Sequence, residues 1–355
     1  MPKTWYKVLL AALGVVVGIL LIGFIIIIFS EYFPEDRETL VIDGESSKTL
    51  KPGSSATIIT YNLGYLSLDN TQDFFMDGGK GVRPKNATNV TKNLAAVKTF
   101  IQNQDADVYL FQEVDKKAKR SYNINEYDGL REDFEGTATY AAMFNSLYIP
   151  YPIFDTIGHV ESGVVTLNKY NATEATRIAL PSHSSWPKRA VMYKNPILEE
   201  RVKLEETDKE LVIYNVHLDA YGAKGENSDQ LQILLDNMVA EYEKGNYCIA
   251  GGDFNQTFPQ TNLEQFPLND SKNFYPTQLS QEQLPEGWKF VTDASKPTSR
   301  LLNEVYSGNY DNTQLYVIDG FLISPNIESK SVETIENNFS YSDHHPVKIK
   351  INLRK

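Results

Sequence analysis

An unbroken apolar run, VLLAALGVVVGILLIGFIIIIF from Val8 to Phe29, constrains this chain more than any other feature. At 1.5 Å of rise per residue, a helix of this length crosses the ~30 Å hydrocarbon core of a bilayer. Lys3 and Lys7 precede the run, and Glu31, Glu35 and Asp36 follow it. That asymmetry places the N-terminus in the cytoplasm and the rest of the chain outside. Trp5, Tyr6 and Tyr32 suit the two membrane interfaces. A cleaved secretory signal is the competing reading. It calls for a shorter apolar stretch ending in small residues, whereas this one runs into IIIIFSEYF. Residues 1–30 are therefore expected to be a cytoplasmic N-terminus and an uncleaved single-pass anchor in the cell membrane, with an extracytoplasmic domain behind it.

That domain must fold without covalent help. Cys248 is the single cysteine, so no intramolecular disulfide is available, and within YCIAGG it reads as a small buried hydrophobe. The hydrophobic share of 41% and charged share of 23% are those of a globular protein able to build a core. The net charge is −12; without the +2 of Lys3 and Lys7 the remainder carries −12 − 2 = −14. An acidic surface repels polyanions and suits a site that collects divalent cations. Residues 31–55 are rich in acids, Ser, Gly and Pro with little periodicity, and read as a polar tether. Residues 56–355 read as one domain, without a second linker or a fixed-period repeat.

Within the domain, apolar strands alternate with helical patterns. NVTKNLAAVKTFIQNQ places Val90, Leu94, Val97 and Ile101 at helical spacing, and SDQLQILLDNMVAEYEKG ends a second helix in Gly. ATIITYNLG, ADVYLFQEV, KELVIYNVHLDA, NYCIAGGDFN and YVIDGFLIS read as strands. Alternation followed by a strand-rich end predicts an α/β sandwich of mixed sheets. Polar chemistry recurs at or just past the C-terminal ends of these apolar runs: Asn62, Glu113, Glu161, His217, Asp253, Asn255, Asp319, Asp343 and His344. Any one of them is ordinary turn chemistry. The full set, each behind an apolar run, predicts strand ends converging on one pocket.

Seven ordered blocks, TYNLG, LFQEV, ESGVVTLNK, NVHLDA, GGDFN, VIDGFLIS and SDHHPV, resemble the endonuclease/exonuclease/phosphatase superfamily over roughly residues 56–353. The resemblance implies a four-layer α/β/β/α sandwich and a Mg²⁺-dependent phosphoester hydrolase, with Mn²⁺ a possible substitute. It casts Glu113 as metal ligand with Asn62 beside it, and Asp343 as a further candidate ligand. His344 resembles the general base, with Asp343 as its carboxylate partner. His217 and Asn255 are cast as phosphate contacts, and Glu161 as the carboxylate that pairs with His217 in the deoxyribonuclease branch. Asp253 is cast as orienting the attacking water or a leaving-group proton and as a candidate ligand of a second metal, and Asp319 as lying near the water and metal. Such a division suits the chemistry: a metal neutralises phosphate oxygens, a base activates water, and donors meet the charge of the transition state.

Other positions carry weaker signals. His345 is expected to pack or cap beside Pro346, and Asp219 to be a turn residue. The Gly-rich insertion at residues 73–84 offers backbone amides and Lys80 to a phosphate, against the plainer reading of a surface loop. Arg189, in SSWPKRAVMY, is a candidate phosphate contact, against the plainer reading of a solvated basic pair. Three substrate classes remain open: a nucleic-acid phosphodiester, a phospholipid or other membrane phosphoester, and a soluble phosphate metabolite. A lipid-acting member would need an apolar docking hairpin; the aromatics of TYAAMFNSLYIPYPIF are candidates that a core strand or helix explains equally well. An inactive phosphate-binding domain is the alternative outside enzymes. Nothing in the sequence points to a protein partner.

Overall fold

Strands buried on both faces need helices outside and a second sheet inside, and the computed structural model has that arrangement. It describes residues 3–355 apart from residues 183, 221–225, 269–273, 311 and 312. The helices are α1 (Lys3–Ser30), α2 (Ala87–Gln104), α3 (Glu126–Arg131) and α4 (Glu226–Glu243). The strands begin with β1 (Arg37–Thr39), β2 (Ile42–Gly44), β3 (Ser55–Asn62), β4 (Val108–Ala118), β5 (Thr137–Ile149), β6 (Gly158–Asn168), β7 (Ala172–Ala179) and β8 (Pro196–Lys203). They continue with β9 (Glu210–His217), β10 (Tyr247–Asp253), β11 (Lys289–Val291), β12 (Ser299–Arg300), β13 (Leu315–Tyr316), β14 (Asp319–Ile323), β15 (Ile327–Thr334) and β16 (Val347–Leu353).

Two seven-stranded sheets form, ordered β1-β7-β8-β9-β10-β14-β11 and β15-β16-β3-β4-β6-β5-β2. Each contains a parallel pair, β9 with β10 and β3 with β4, among antiparallel neighbours. Period-two alternation sorts the side chains. Ile58, Val108 and Leu110 meet Leu211, Ile213, Ile249 and Phe321 between the sheets. Ile59, Tyr61, Tyr109 and Phe111 point outward onto Val90, Val97 and Ile101 of α2. Val212, Tyr214 and Val216 carry Leu231, Leu234, Leu235 and Met238 of α4. The result is the expected four-layer α/β/β/α sandwich, preceded by one apolar N-terminal helix.

The expected tether at residues 31–55 is corrected. β1 pairs with β7 at the edge of one sheet, and β2 pairs with β5 at the edge of the other. Leu40, between them, packs on Ala141, Val164 and Leu198. Lys48 bridges to Tyr170 and Leu50 to Leu204. This segment therefore closes one edge of each sheet, where unpaired backbone would otherwise be exposed. Its strands are too short to show alternation, and their pairing rests on backbone hydrogen bonds that composition does not report.

Glu200 on β8 is a buried acid between the sheets. Asn168 Nδ2 donates to its Oε2 at 3.0 Å, and among the described residues Oε1 has no partner. Burial pushes its carboxyl up to about 7, against the lowering influence of the nearby Thr139 hydroxyl and the Asn168 hydrogen bond. The folded chain then keeps a proton that the unfolded chain has released above its ordinary value of 4.5. Stability is lost as pH rises through that window, by up to about 3 kcal/mol for this group. The melting temperature of the chain in detergent is expected to fall between pH 5 and 8, and Glu200→Gln to remove part of the fall. An identical decline in the variant would contradict this.

Candidate active site

Register brings three of the expected residues into one row. On β10, Asp253 lies opposite His217 of the parallel strand β9 and opposite Asp319 of the antiparallel strand β14. A side chain on the neighbouring Gly252 would place Cβ 1.9 Å from the Val216 carbonyl oxygen, so glycine lets β10 approach β9 here. The facing sheet supplies Asn62 at the end of β3, Glu113 within β4, and Asp343 and His344 just ahead of β16. The expectation that all the groups lie at C-terminal strand ends needs amendment. Asp319, Asp343 and His344 come from the N-terminal ends of antiparallel strands, which reach the same edge.

Asp253 Oδ2 is the hub. Asn62 Nδ2 donates to it at 3.1 Å and to Glu113 Oε1 at 3.3 Å. His217 Nε2 is 3.6 Å from Asp253 Oδ2 and 3.7 Å from Glu113 Oε1, and His344 Nε2 is 3.7 Å from Asp253 Oδ2. Asn255 donates its backbone N–H to Asp253 Oδ1 at 2.8 Å and its amide to the Leu218 carbonyl, with a left-handed backbone at φ 48°. Glu113 also has a left-handed backbone, φ 55°, at a register break in β4. Non-glycine residues held this way are strained, and such strain concentrates where a side chain must be aimed. Behind the bulge, Arg120 makes a forked pair with Asp115 and lies 3.6 Å above the Tyr65 ring.

The partner of His344 is corrected. Its Nδ1 bonds Asp319 Oδ2 at 2.9 Å, not the adjacent Asp343. Sequence adjacency does not put two side chains on the same side of the chain, whereas β14 delivers Asp319 from the other sheet. Ser299 Oγ, which no motif singled out, lies 3.2 Å from His344 Nε2. Asp343 stands instead beside Ser342, whose hydroxyl is 3.3 Å from Oδ1, and beside Gly64. Gly64 has φ +50°, and a Cβ there would meet Asp343 Oδ1 at 2.7 Å.

Three further expectations are corrected. Glu161 shares the parity of Val165 and Leu167, which face α2, so it projects from the outer face of β6. Its charge acts on Lys116 and Tyr140, while the ring nitrogens of His217 face Met143, Glu113 and Asp253. Arg189 pairs with Glu31 at 2.6 Å, at the foot of α1. Lys80 is exposed, and in its loop the Asp73 carboxylate takes the amides of Lys80 and Gly81 while the Phe74 carbonyl takes that of Gly79. Asp77 of this loop, not Lys80, acts on Asp343. His345 packs as expected, stacked on Phe339 at 3.9 Å with Nδ1 on the Pro297 carbonyl. Met143, Tyr193 and Tyr65 around the site carried no sequence signal beyond apolar character.

The electrostatics define where a cation fits. Burial raises the Glu113 carboxyl, opposed chiefly by Arg120. Burial likewise pushes Asp343 up to about 7; Glu113 and Asp77 add to it, and His344 and Arg300 oppose it. Asp253 is raised by burial and by Asp319. Burial lowers His217 and outweighs Asp253, so its ring is neutral. Burial would also lower His344, but Asp319, Asp253 and Asp343 together carry it up to about 10. Carboxylates brought together out of water favour a divalent cation among them. Glu113 and Asp343 offer hard oxygen donors that suit Mg²⁺; Asn62 beside them turns Nδ2 to Glu113 and accepts the Gly64 N–H at Oδ1. Asp253, Asp319 and His344 also bring donor atoms within 4.8 Å of one another. In that second cluster the Nδ1 bond to Asp319 leaves Nε2 as the donor atom of His344, 3.7 Å from Asp253 Oδ2.

The chain belongs to the endonuclease/exonuclease/phosphatase family, whose sequence profile matches residues 59–344. Members of this family are generally hydrolases of phosphoesters. Solved structures share the fold. An endonuclease/exonuclease/phosphatase from Beutenbergia cavernae aligns with a TM-score of 0.58 at 13% identity, covering 84% of this chain and 72% of that one. A family protein from Leptotrichia buccalis aligns at 0.54 and 14%, covering 84% and 100%. One from Bacteroides vulgatus aligns at 0.52 and 15%, covering 85% and 100%. A search of curated proteins by sequence finds no match.

Cation binding should displace protons. At pH 7.5 the cation-free site holds a proton on His344 and part of one on Asp343, and the added charge favours their release. Calorimetric titration with Mg²⁺ in buffers of differing ionisation enthalpy is expected to show about one proton released per ion. Proton-neutral binding would contradict the assignment.

Proposed function

We propose that this chain is a membrane-tethered, Mg²⁺-dependent phosphoester hydrolase that works through water activated by His344. The Asp319–His344 pair beside the Asn62, Glu113 and Asp253 hub carries the reading. Both sheets contribute to that constellation, and burial holds it out of bulk water. Glu113, Asn62 and Asp343 hold the cation, with Mn²⁺ an acceptable substitute. The cation supplies neutralisation of a phosphate oxygen. Asp319 accepts from Nδ1 of His344 and so leaves Nε2 to take a proton from water. With Asp343 engaged by the cation, His344 would feel less of the field that keeps it protonated and would stand nearer the range of a base. Neutral His217 donates to the scissile phosphate with Asn255. Asp253, between the two imidazoles, orients the water or the leaving-group proton.

The apolar stretch of α1, Trp5–Ile26, is the membrane span in this reading. Lys3 and Lys7 keep its start in the cytoplasm, and the catalytic domain lies outside. The Glu161 to His217 pairing that favoured a nucleic-acid substrate is not formed, and the domain is acidic. A membrane phosphoester is therefore the better supported substrate.

The test is a panel of phosphodiesters and phosphomonoesters, including phospholipids and plasmid DNA, assayed with Mg²⁺. EDTA is expected to abolish turnover and Mg²⁺ or Mn²⁺ to restore it. His344→Ala should lower kcat/KM by about 10²- to 10⁴-fold, and Glu161→Ala should leave it unchanged. Turnover indifferent to EDTA or to His344→Ala would overturn the mechanism. Tight binding of phosphate ligands without any turnover would favour the inactive-domain alternative.

A further inference from the structure

Resting on the reading of α1 as a membrane span, we propose that the tip of the β5–β6 hairpin enters the outer leaflet beside that helix. The domain is then clamped at a fixed height on the membrane, not suspended above it.

The tip is apolar and uncovered. Leu147 is 65% exposed, Tyr151 59%, Ile153 77% and Phe154 fully exposed, within eight consecutive positions. Isolated exposed apolar residues are ordinary on soluble domains; a contiguous set marks a contact surface. Phe75 extends the patch by packing on Tyr151, with ring centroids 5.5 Å apart.

Its position identifies what covers it. α1 packs against β5 and against the short turn Lys188–Val191. Val191 of that turn shares a cluster with Phe144, Ile149 and Val160, which places α1 at the tip end of β5. Trp186 meets Phe24 with centroids 5.1 Å apart, and Phe24 lies inside the apolar stretch that ends at Ile26. The domain thus touches α1 at a level where lipid surrounds the helix. The hairpin beside that contact continues the same lipid-facing surface. Tyr and Trp suit this depth, with an apolar body and a polar edge. A tip of this kind enters about 5–10 Å, to the boundary of head groups and acyl chains.

The link between helix and domain is stiff. Glu31, directly after α1, is almost fully buried against Arg189 at 2.6 Å and Lys194 at 3.7 Å. Tyr32 lies under the Arg177 guanidinium, and β1 is paired from Arg37 onward. The root of the same hairpin walls the active site. Met143 Sδ is 3.2 Å from His217 Nδ1, and Tyr193 packs on both Phe144 and His217. A bilayer held at the tip therefore presents its head-group phosphates to that edge of the domain.

The experiment uses the full chain in phosphatidylcholine vesicles, with an environment-sensitive fluorophore on Phe154→Cys or, as control, on Lys289→Cys at the exposed far edge strand β11. Cys248 is buried and does not compete for label. Flotation with the vesicles reports insertion of α1 independently. The label at position 154 is expected to shift to shorter wavelength and to be quenched by nitroxide lipids; the label at position 289 should do neither. A floating chain whose label at 154 stays water-like, or is shielded from both nitroxide lipid and aqueous iodide, overturns the proposal and leaves the anchor standing. The second result would mean a protein contact instead. A chain that does not float overturns both.

Discussion

Asp253, Asp319 and Asp343 are buried beside the part-buried Glu113, and the rest of the site follows from that constraint. Like charges held out of water destabilise one another unless positive charge enters with them. Two imidazoles from different sheets stand among these carboxylates and respond in opposite ways. His217 yields to burial and stays neutral, whereas His344, bonded to Asp319, is driven up to about 10. Two histidines with distinct roles therefore arise from environment alone. The same field that makes His344 a counterion is what the proposed divalent cation would answer.

The fold makes that burial possible through register. His217, Asp253 and Asp319 are matched on adjacent strands of one sheet. Asn62 and Glu113 arrive on the parallel pair of the other sheet. The two sheets bind one another through aliphatic side chains, so the polar edge is carried on a rigid core. Glu113 sits at the break in the β4 ladder, and Asn255, just past β10, is held by its bonds to Asp253 and the Leu218 carbonyl.

Much of this was legible in the sequence. Apolar runs ending in Asn, Asp, Glu or His disclosed both the sandwich and the convergence, because strands buried on both faces have a strong pattern. The hidden parts lie where the pattern is weak. The strands β1 and β2 are three residues each and pair by backbone alone, so residues 31–55 resembled a tether. Asp319 replaced Asp343 as partner of His344 because proximity between two sheets leaves no trace in sequence spacing. Glu161 was misplaced by one unit of parity, which decides the face of a strand. In the Gly-rich loop, Asp73 consumes the amides that its composition offered to a ligand. The N-terminal segment is likewise built in: α1 continues through the Glu31–Arg189 ion pair into the edge strand β1.

The central claim is one cation held by Glu113, Asn62 and Asp343 of one sheet, at the edge shared with His217, Asp253 and Asp319 of the other. Its most direct test is anomalous diffraction from crystals of the chain grown with Mn²⁺. The account predicts a peak within about 2.2 Å of oxygens of Glu113 and Asp343, with Asn62 beside it and His344 still bonded to Asp319. A peak centred on Asp253, Asp319 and His344 with that bond broken, or no ordered ion in the cleft, would contradict it.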